Sequence, residues 1–532
     1  MKKLSFVDTG FLMTESSDMP MHVAGVSLYT LPEGANEQEF LHELAANLRD
    51  ADQLVPPFGD RLKTGKLGLA GSAYWEPDSE LDMDYHIRHS ALPKPGRYRE
   101  LFNLVSRLHG TLLDRNRPLW EMHVIEGLQN RQFAVYSKTH HAAVDGARSI
   151  HLARSMMSED ADFRLEESPL SLRSWEKYRA SLKLGKKPGF TQEEVRNVAD
   201  RLKASFDTSA NVVQALRGFT RAWVGRGGDL RLPHLQVPKS SINTSISGAR
   251  RFVAQSWPFA RISGVAKAFD GTFNDAVLAI CAGALRKYMQ LHAELPDQSL
   301  KAMVPVSIRQ EGDIDSSNAI AAISADLATN VDDPADRFRA IQASVRAGRG
   351  FYKGMSQSEI QLFAMAMQAP SMLMMPLGLT HQLPPYNTVI SNVPGIKETM
   401  YFNGARLDGS YPLSIVTDGI AMNITLLTYG ENVDFGIIAC RRSVPQVQRL
   451  IDYMEDALSE LEDAAGLKAK PTRKRGVAKA TSKTKPKSKA KAKAKSKANA
   501  KAKPKAKAKA KKAAAKKPAK KVRAKAKPKL RS

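Results

Sequence analysis

The sequence predicts two α/β halves, each a mixed sheet with helices, packed side by side and followed by a disordered basic tail. Three observations carry that prediction. Short strand and helix signals alternate up to about residue 160, the pattern of a mixed α/β unit. The same alternation resumes near residue 250, after a polar and charged stretch. From residue 468 the composition narrows to lysine and alanine broken by Pro471, Pro486, Pro504, Pro518 and Pro528, with no aromatic residue to build a core. The boundaries are therefore 1–160 for the first half, 161–245 for a connecting helical segment, 246–467 for the second half and 468–532 for the tail.

Charge follows the same division. The 532 residues carry 80 Lys+Arg against 54 Asp+Glu, a formal net charge of +26. Thirty of the basic residues and none of the acidic ones lie from Lys468 onward, so residues 1–467 hold 50 basic against 54 acidic side chains, a net of −4. The body is thus a slightly acidic globular protein, and the basicity belongs to the tail. Two cysteines, Cys281 and Cys440, exclude a disulfide framework and a cysteine-rich zinc site, and they fit a reducing compartment. Residues 1–8 hold no apolar core of signal-peptide length. The most apolar stretch, Leu362 to Leu379, is broken by Gln368, Pro370, Ser371 and Pro376, too often for a membrane span.

In chain order, Met21 to Tyr29 reads as a strand and Glu37 to Arg49 as a helix with Phe40, Leu41, Leu44 and Leu48 on one face. Leu81 to His89 reads as a second strand and Leu101 to Leu113 as a second amphipathic helix. Pro118 to Leu128 runs through a strand into a turn, and Gln132 to Lys138 is a strand by its aromatic and β-branched content. In the connecting segment, helical pieces fall around 193–206 and 211–224. The second half starts near Arg250. Its expected elements are a first helix at Phe273–His292, a strand at Lys301–Arg309, a helix from Asp333 to Tyr352 and a strand from Thr388 to Gly395. Ala421–Tyr429 and Val433–Cys440 form a hairpin, and Val447–Leu461 is a closing helix.

The chemistry centres on Thr139-His140-His141-Ala142-Ala143-Val144-Asp145-Gly146, at a strand-to-helix turn where a sheet can hold an imidazole in an open cleft. Imidazole takes and returns protons near neutrality, so this turn is a candidate for a general base. No nucleophile elbow, Walker motif or dinucleotide glycine fingerprint is present. His140, His141 and Asp145 are the only metal-ligand spacing, and adjacent histidines in a turn diverge, so no metal and no cofactor is expected.

His140 to Gly146 matches HHxxxDG, the signature of the CoA-dependent acyltransferase superfamily, which includes chloramphenicol acetyltransferases and peptide-synthetase condensation domains. Within it the chain resembles the bacterial wax ester synthase/acyl-CoA:diacylglycerol acyltransferases. Pro118-Leu119-Trp120-Glu121 resembles the PLW block and Asn274-Asp275-Ala276-Val277-Leu278-Ala279 the ND block. Met303-Val304-Pro305-Val306-Ser307 and Ser391-Asn392-Val393-Pro394-Gly395 resemble two further blocks, all in family order over about 1–467. The resemblance implies two chloramphenicol-acetyltransferase-like halves with an active-site tunnel at their interface. It implies transfer of a fatty acyl group from acyl-CoA, as substrate rather than cofactor, to a long-chain alcohol or a diacylglycerol. The rival readings are a carrier-dependent condensation-type acyltransferase and a lipid-granule or nucleoid protein acting through its tail.

Residue roles follow from the resemblance. His141 takes the hydroxyl proton and returns it to the CoA thiolate, and His140 braces the turn. Asp145 either orients the imidazole, as in a triad, or pairs with an arginine to fix the loop; the second reading is favoured, with Arg309 and Arg49 as candidate partners. Gly146 lets the chain turn into the helix. Asn274 opens a helix, where an N-cap role suffices; the resemblance implies instead a donor to the oxyanion, and that reading is favoured. Asp275 is a dipole and packing residue, and Pro118 and Trp120 pack beneath the histidine loop. The methionine-rich segment Phe363 to Met375 is either core or the wall of an acyl tunnel. The tail suits an anionic membrane or lipid-body surface, with nucleic acid or another polyanion as second choice. A cytoplasmic enzyme peripherally associated with the inner membrane or lipid bodies is the expected location.

Overall fold

A computed structural model describes residues 1–66, 68–144, 146–182, 237–307, 320–351, 381 and 384–467. The helical pieces expected at 193–206 and 211–224, the methionine-rich segment and the tail lie outside the described residues, as do Asp145 and Arg309.

The chain opens on a two-residue strand, β1 (Lys2–Lys3), and α1 (Phe6–Thr14), a short helix that the sequence reading omits; the Ser5 hydroxyl caps it by accepting the Asp8 amide. β2 (His22–Thr30) and α2 (Glu37–Arg49) follow where expected. The Asn36 side chain caps α2, and Leu41, Leu44, Ala45 and Leu48 are buried, the face that the periodicity marked. β3 (Asp60–Gly65) and β4 (Gly68–Pro77) form an unanticipated hairpin that carries β1 on its edge. The expected strand Leu81–His89 is shorter than its pattern. Asp82 accepts the Tyr85 amide and starts the helical turn α3 (Met83–His86), so β5 (Ile87–Ala91) begins only after it. α4 (Tyr98–His109) stops at Gly110, before the expected Leu113. Then come β6 (Trp120–Glu126), β7 (Gln132–His140), α5 (Gly146–Ser155) and α6 (Leu172–Ala180).

The second half runs β8 (Arg250–Pro258), α7 (Phe259–Ala268), α8 (Phe273–Leu291), β9 (Lys301–Ser307), β10 (Ile320–Asp326) and α9 (Pro334–Phe351). It continues with β11 (Thr388–Ile396), β12 (Tyr401–Phe402), β13 (Ala405–Leu413), β14 (Met422–Tyr429), β15 (Asn432–Cys440) and α10 (Arg449–Ala464). The first helix of this half is α7, not α8 as the pattern suggested; its buried stripe of Ile262, Val265 and Ala266 is only one turn long, too short to register as periodicity.

Two six-stranded mixed sheets result. The first has the order β12-β13-β2-β7-β6-β5, with only β5 and β6 parallel. The second has the order β10-β9-β11-β14-β15-β8, with β9, β11 and β14 mutually parallel. β12 and β13 follow residue 400 in the chain yet complete the sheet of the histidine strand, β13 pairing Leu413 with Ala24 and Leu407 with Tyr29. A buried carboxylate joins this crossing strand to the second sheet. Asp434 on β15 accepts the Ser410 amide at 2.8 Å and the Ser256 hydroxyl at 2.6 Å. Burial pushes its carboxyl up to about 6, the two hydrogen bonds only partly offsetting the lost solvation.

α8 is the central helix of the second half. Its residues 275–285 are all buried, as befits a helix apolar on every side. α10 packs against it at Gly283, where a Cβ would lie 2.7 Å from that of Ala457, so only glycine permits the approach. Among the described residues no helix is long and apolar enough to cross a membrane.

Candidate active site

β7 ends at the two histidines, and its neighbours clamp that end. On one side His22 of β2 stands opposite His140; on the other Trp120 of β6 stands opposite Thr139. The His140 amide donates to Leu119 O at 2.9 Å and the His141 amide to Met21 O at 2.9 Å. The chain then folds back, the amides of Ala143 and Val144 both returning to the His140 carbonyl. Successive side chains at a strand end face opposite ways. His140 accordingly is fully buried, while the His141 ring is half-buried and stacks on Phe11 of α1, centroids 4.3 Å apart.

The surroundings of His140 fix its tautomer. Its Nδ1 accepts the Ala142 amide at 3.1 Å, so the neutral ring carries its proton on Nε2. That nitrogen lies 3.5 Å from Glu15 Oε1. The Glu15 side chain, 2% exposed, also accepts the Met21 amide and the Arg115 guanidinium. Burial would raise its carboxyl, but the His140 ring beside it and the hydrogen bonds from Met21 and Arg115 outweigh that and hold it below the ordinary carboxylate range.

A layer of buried polar groups continues beneath. The alternation of β7 turns Tyr136, Lys138 and His140 to one face. Lys138, wholly buried, donates to Glu121 Oε1 at 2.6 Å and to the carbonyls of Leu108 and Thr111. The Glu121 carboxyl would rise on burial, yet His123 and Lys138 together draw it down to about 2. His109 is driven down to about 3 by burial and the nearby cations Lys138 and Arg250, so it is neutral at working pH. Sequence reasoning missed Glu15, Arg115 and this layer. The one signal available was the lysine and histidine at inward positions of an otherwise apolar strand.

Trp120 is buried beside the histidine strand, its indole N–H donating to Phe58 O at 2.8 Å and its ring stacked on His86. Leu119 of the same block supplies the carbonyl that holds His140.

The structure removes the N-cap alternative for the asparagine. Thr272, not Asn274, caps α8: Asp275 accepts the Thr272 amide and hydroxyl, and Thr272 accepts the Asp275 amide, a reciprocal capping box. Asp275 is buried in that role. Asn274, relieved of capping, accepts a hydrogen bond at its Oδ1 from Asn392 Nδ2, 3.0 Å away on β11. Its own amide NH2 is not used in that bond. The ND block thus meets the Asn392 block directly.

The two sides are linked through β11. α5, whose first residue is Gly146, packs on β11; beyond it Arg154 reaches Glu398 at 3.4 Å, and Ser158 and Tyr401 exchange backbone hydrogen bonds. Arg49, a candidate partner of Asp145, pairs with Asp84 at 2.9 Å and donates to Ile87 O. A separate cavity of about 370 Å³, lined by Ser241, Tyr288, His292 and Arg442 among others, opens at the far end of α8, roughly 20 Å along the axis from Asn274 at 1.5 Å rise per residue, and contains none of these residues. Among the described residues no three His, Cys, Asp or Glu side chains converge as a metal site.

Chemically, the arrangement offers a half-exposed imidazole on a rigid turn and, on the other half, an amide donor at a helix start. Residues 4–277 match the family model of the wax ester synthase/diacylglycerol acyltransferase catalytic domain, and residues 316–462 that of the WS/DGAT C-terminal domain. A Mycobacterium tuberculosis protein named as a diacylglycerol O-acyltransferase is 40% identical over 468 residues, spanning 87% of this chain and 100% of the relative. The O-acyltransferase WSD of Acinetobacter baylyi is 38% identical over 463 residues, 87% of this chain and 97% of the relative. The solved wax ester synthase/diacylglycerol acyltransferase of Marinobacter aquaeolei VT8 superposes with a TM-score of 0.69 at 37% identity, covering 88% of this chain and 100% of that one.

Proposed function

The chain belongs to the wax ester synthase/diacylglycerol acyltransferase family and is an O-acyltransferase, and from that premise we propose that His141 is its general base and Asn274 its oxyanion donor. Fatty acyl-CoA is the donor, and a long-chain alcohol or a diacylglycerol is the acceptor. The thioester is already activated, so the protein has to deprotonate an alcohol, stabilise an oxyanion and exclude water. The His141 imidazole takes the hydroxyl proton as the alcohol oxygen attacks the thioester carbonyl carbon. The Asn274 amide NH2 donates to the resulting oxyanion. Collapse breaks the carbon–sulfur bond, and the imidazolium returns its proton to the CoA thiolate, leaving ester and free CoA. No acyl-enzyme forms.

The observation that supports this reading most is the pairing of unlike environments for adjacent histidines. His140 is sealed in between a donor, the Ala142 amide at Nδ1, and an acceptor, the Glu15 carboxylate near Nε2, while His141 is half-open at a turn tied to Met21. The acyl tunnel at the interface of the halves belongs to the same proposal and is supported by the contact of α5 with β11. In this reading Asp145 holds the loop and Gly146 admits the helix. The carrier-dependent alternative finds no support, since the family match runs through both halves.

The test is purified protein with palmitoyl-CoA and either hexadecanol or diolein, following thiol release and ester formation. Absence of acceptor-dependent CoA release with any alcohol would contradict the assignment. The lysine-rich tail is the proposed contact with an anionic membrane or lipid-body surface, at about 1 kcal/mol per lysine near it. Deleting 468–532 should leave thiol release intact and weaken co-sedimentation with anionic vesicles at low salt. Unchanged sedimentation would remove the lipid role, and salt-sensitive retention of DNA by the full chain alone would replace it with a nucleic-acid one.

A further inference from the structure

We infer that Glu15 is the positioning residue of the histidine turn, the carboxylate through which both histidines are set in place. The inference rests on the reading of His141 as base and concerns how that base is held. Four donors converge on this buried side chain. The Met21 amide, at 3.0 Å, and His140 Nε2, at 3.5 Å, meet Oε1; Arg115 Nε and Nη2, at 3.3 and 3.0 Å, meet Oε2.

Each contact leads to a histidine. His140 is met at its ring. Met21, held through its amide, holds the His141 amide through its carbonyl. Arg115 also donates to Leu12 O at 2.6 Å, which pins the end of α1, the helix whose Phe11 stacks on the His141 ring. Glu15 itself is the residue that terminates α1. One carboxylate therefore sets the ring of His140, the backbone of His141 and the aromatic wall against His141.

The position demands a carboxylate in particular. All four partners are donors, and they divide between the two oxygens. An amide of the same shape presents one acceptor and one donor, so Glu15→Gln sets an NH2 either against Arg115 or against Met21 and His140. A buried group without its partner then drives the turn to shift. Misplacement of a reacting group by about 1 Å costs ~100-fold in rate.

The experiment compares wild type, Glu15→Gln, Arg115→Met and the double variant for kcat and KM with palmitoyl-CoA and hexadecanol, alongside thermal unfolding and histidine-selective ¹⁵N NMR. The inference expects kcat to fall about 100-fold in each single variant while KM stays within about twofold, since the carboxylate touches no substrate. The double variant should be no worse than the weaker single one, because both break the same support. In wild type the His140 ring should show the neutral Nε2–H tautomer that the Ala142 amide imposes, and Glu15→Gln should keep that tautomer but shift the Nε2 resonance.

A Glu15→Gln enzyme with wild-type kcat and an unchanged His140 signal would overturn the inference. So would a loss of activity that merely tracks the fraction of folded protein. Should the variants fail to fold, the tautomer of His140 in wild type still decides, and an Nδ1–H ring refutes the arrangement. His141→Ala separates the two claims: full activity there refutes the base, whereas an inactive His141→Ala beside a fully active Glu15→Gln refutes only the role of Glu15.

Discussion

The supports of His140 and His141 come from far along the chain: Glu15 and Met21 from before β2, Leu119 and Arg115 from the loop before β6. The supports of Asn274 are local, a capping box of Thr272 and Asp275 within one helical turn, with one distant bond among the described residues, from Asn392. The difference matches the two tasks proposed for them. A base must meet a substrate hydroxyl within hydrogen-bond reach, and a turn clamped from several strands tolerates little drift. A donor to an oxyanion needs orientation above all, and a capped helix start supplies that cheaply in sequence terms. The histidine side is therefore the more fragile, since damage to many separate segments can reach it.

That contrast can be broken or sharpened by substitution. The largest effect expected is from His141→Ala, a loss of about 10²–10⁴-fold in kcat with the fold intact, read by thiol release and circular dichroism. Asn274→Ala should follow at about 10²–10³-fold in kcat with little change in KM; a change confined to KM would mean that the asparagine binds substrate rather than the oxyanion. Thr272→Ala should be the mildest, costing about 1 kcal/mol of stability through the lost cap while activity of the folded enzyme changes only a fewfold. If Thr272→Ala matched Asn274→Ala in kcat, the asparagine would not be oriented independently of its cap, and the contrast between the two sides would weaken.

What was legible in the sequence divides along the same line. α2 begins and ends at Glu37 and Arg49 as its periodicity indicates, and the hairpin of β14 and β15 turns at Gly430, in the left-handed region, as its pattern indicates. Local signals suffice where local forces decide. The family blocks and their order were also readable, and the match over 4–277 and 316–462 agrees with them. β13 was not legible. Its inward residues Ala405, Leu407, Leu413 alternate with polar ones, but Pro412 weakens the strand signal, and no local feature tells that its partner is β2. Glu15 was invisible for a similar reason: a carboxylate between a threonine and two serines reads as a solvated turn until Arg115, Met21 and His140 are brought around it. The cap alternative for Asn274, the reading not favoured, falls because Thr272, two residues earlier, competes better for that position through its reciprocal pairing with Asp275.

The most direct measurement is CoA release from palmitoyl-CoA in a rapid-mixing experiment, with enzyme at substrate-level concentration, before and after hexadecanol is added. Direct attack by a His141-activated alcohol predicts no stoichiometric release without acceptor, prompt release once hexadecanol is present, and neither with His141→Ala. A burst of CoA equal to the enzyme before acceptor is added, or a His141→Ala enzyme that responds to hexadecanol as wild type does, would contradict it.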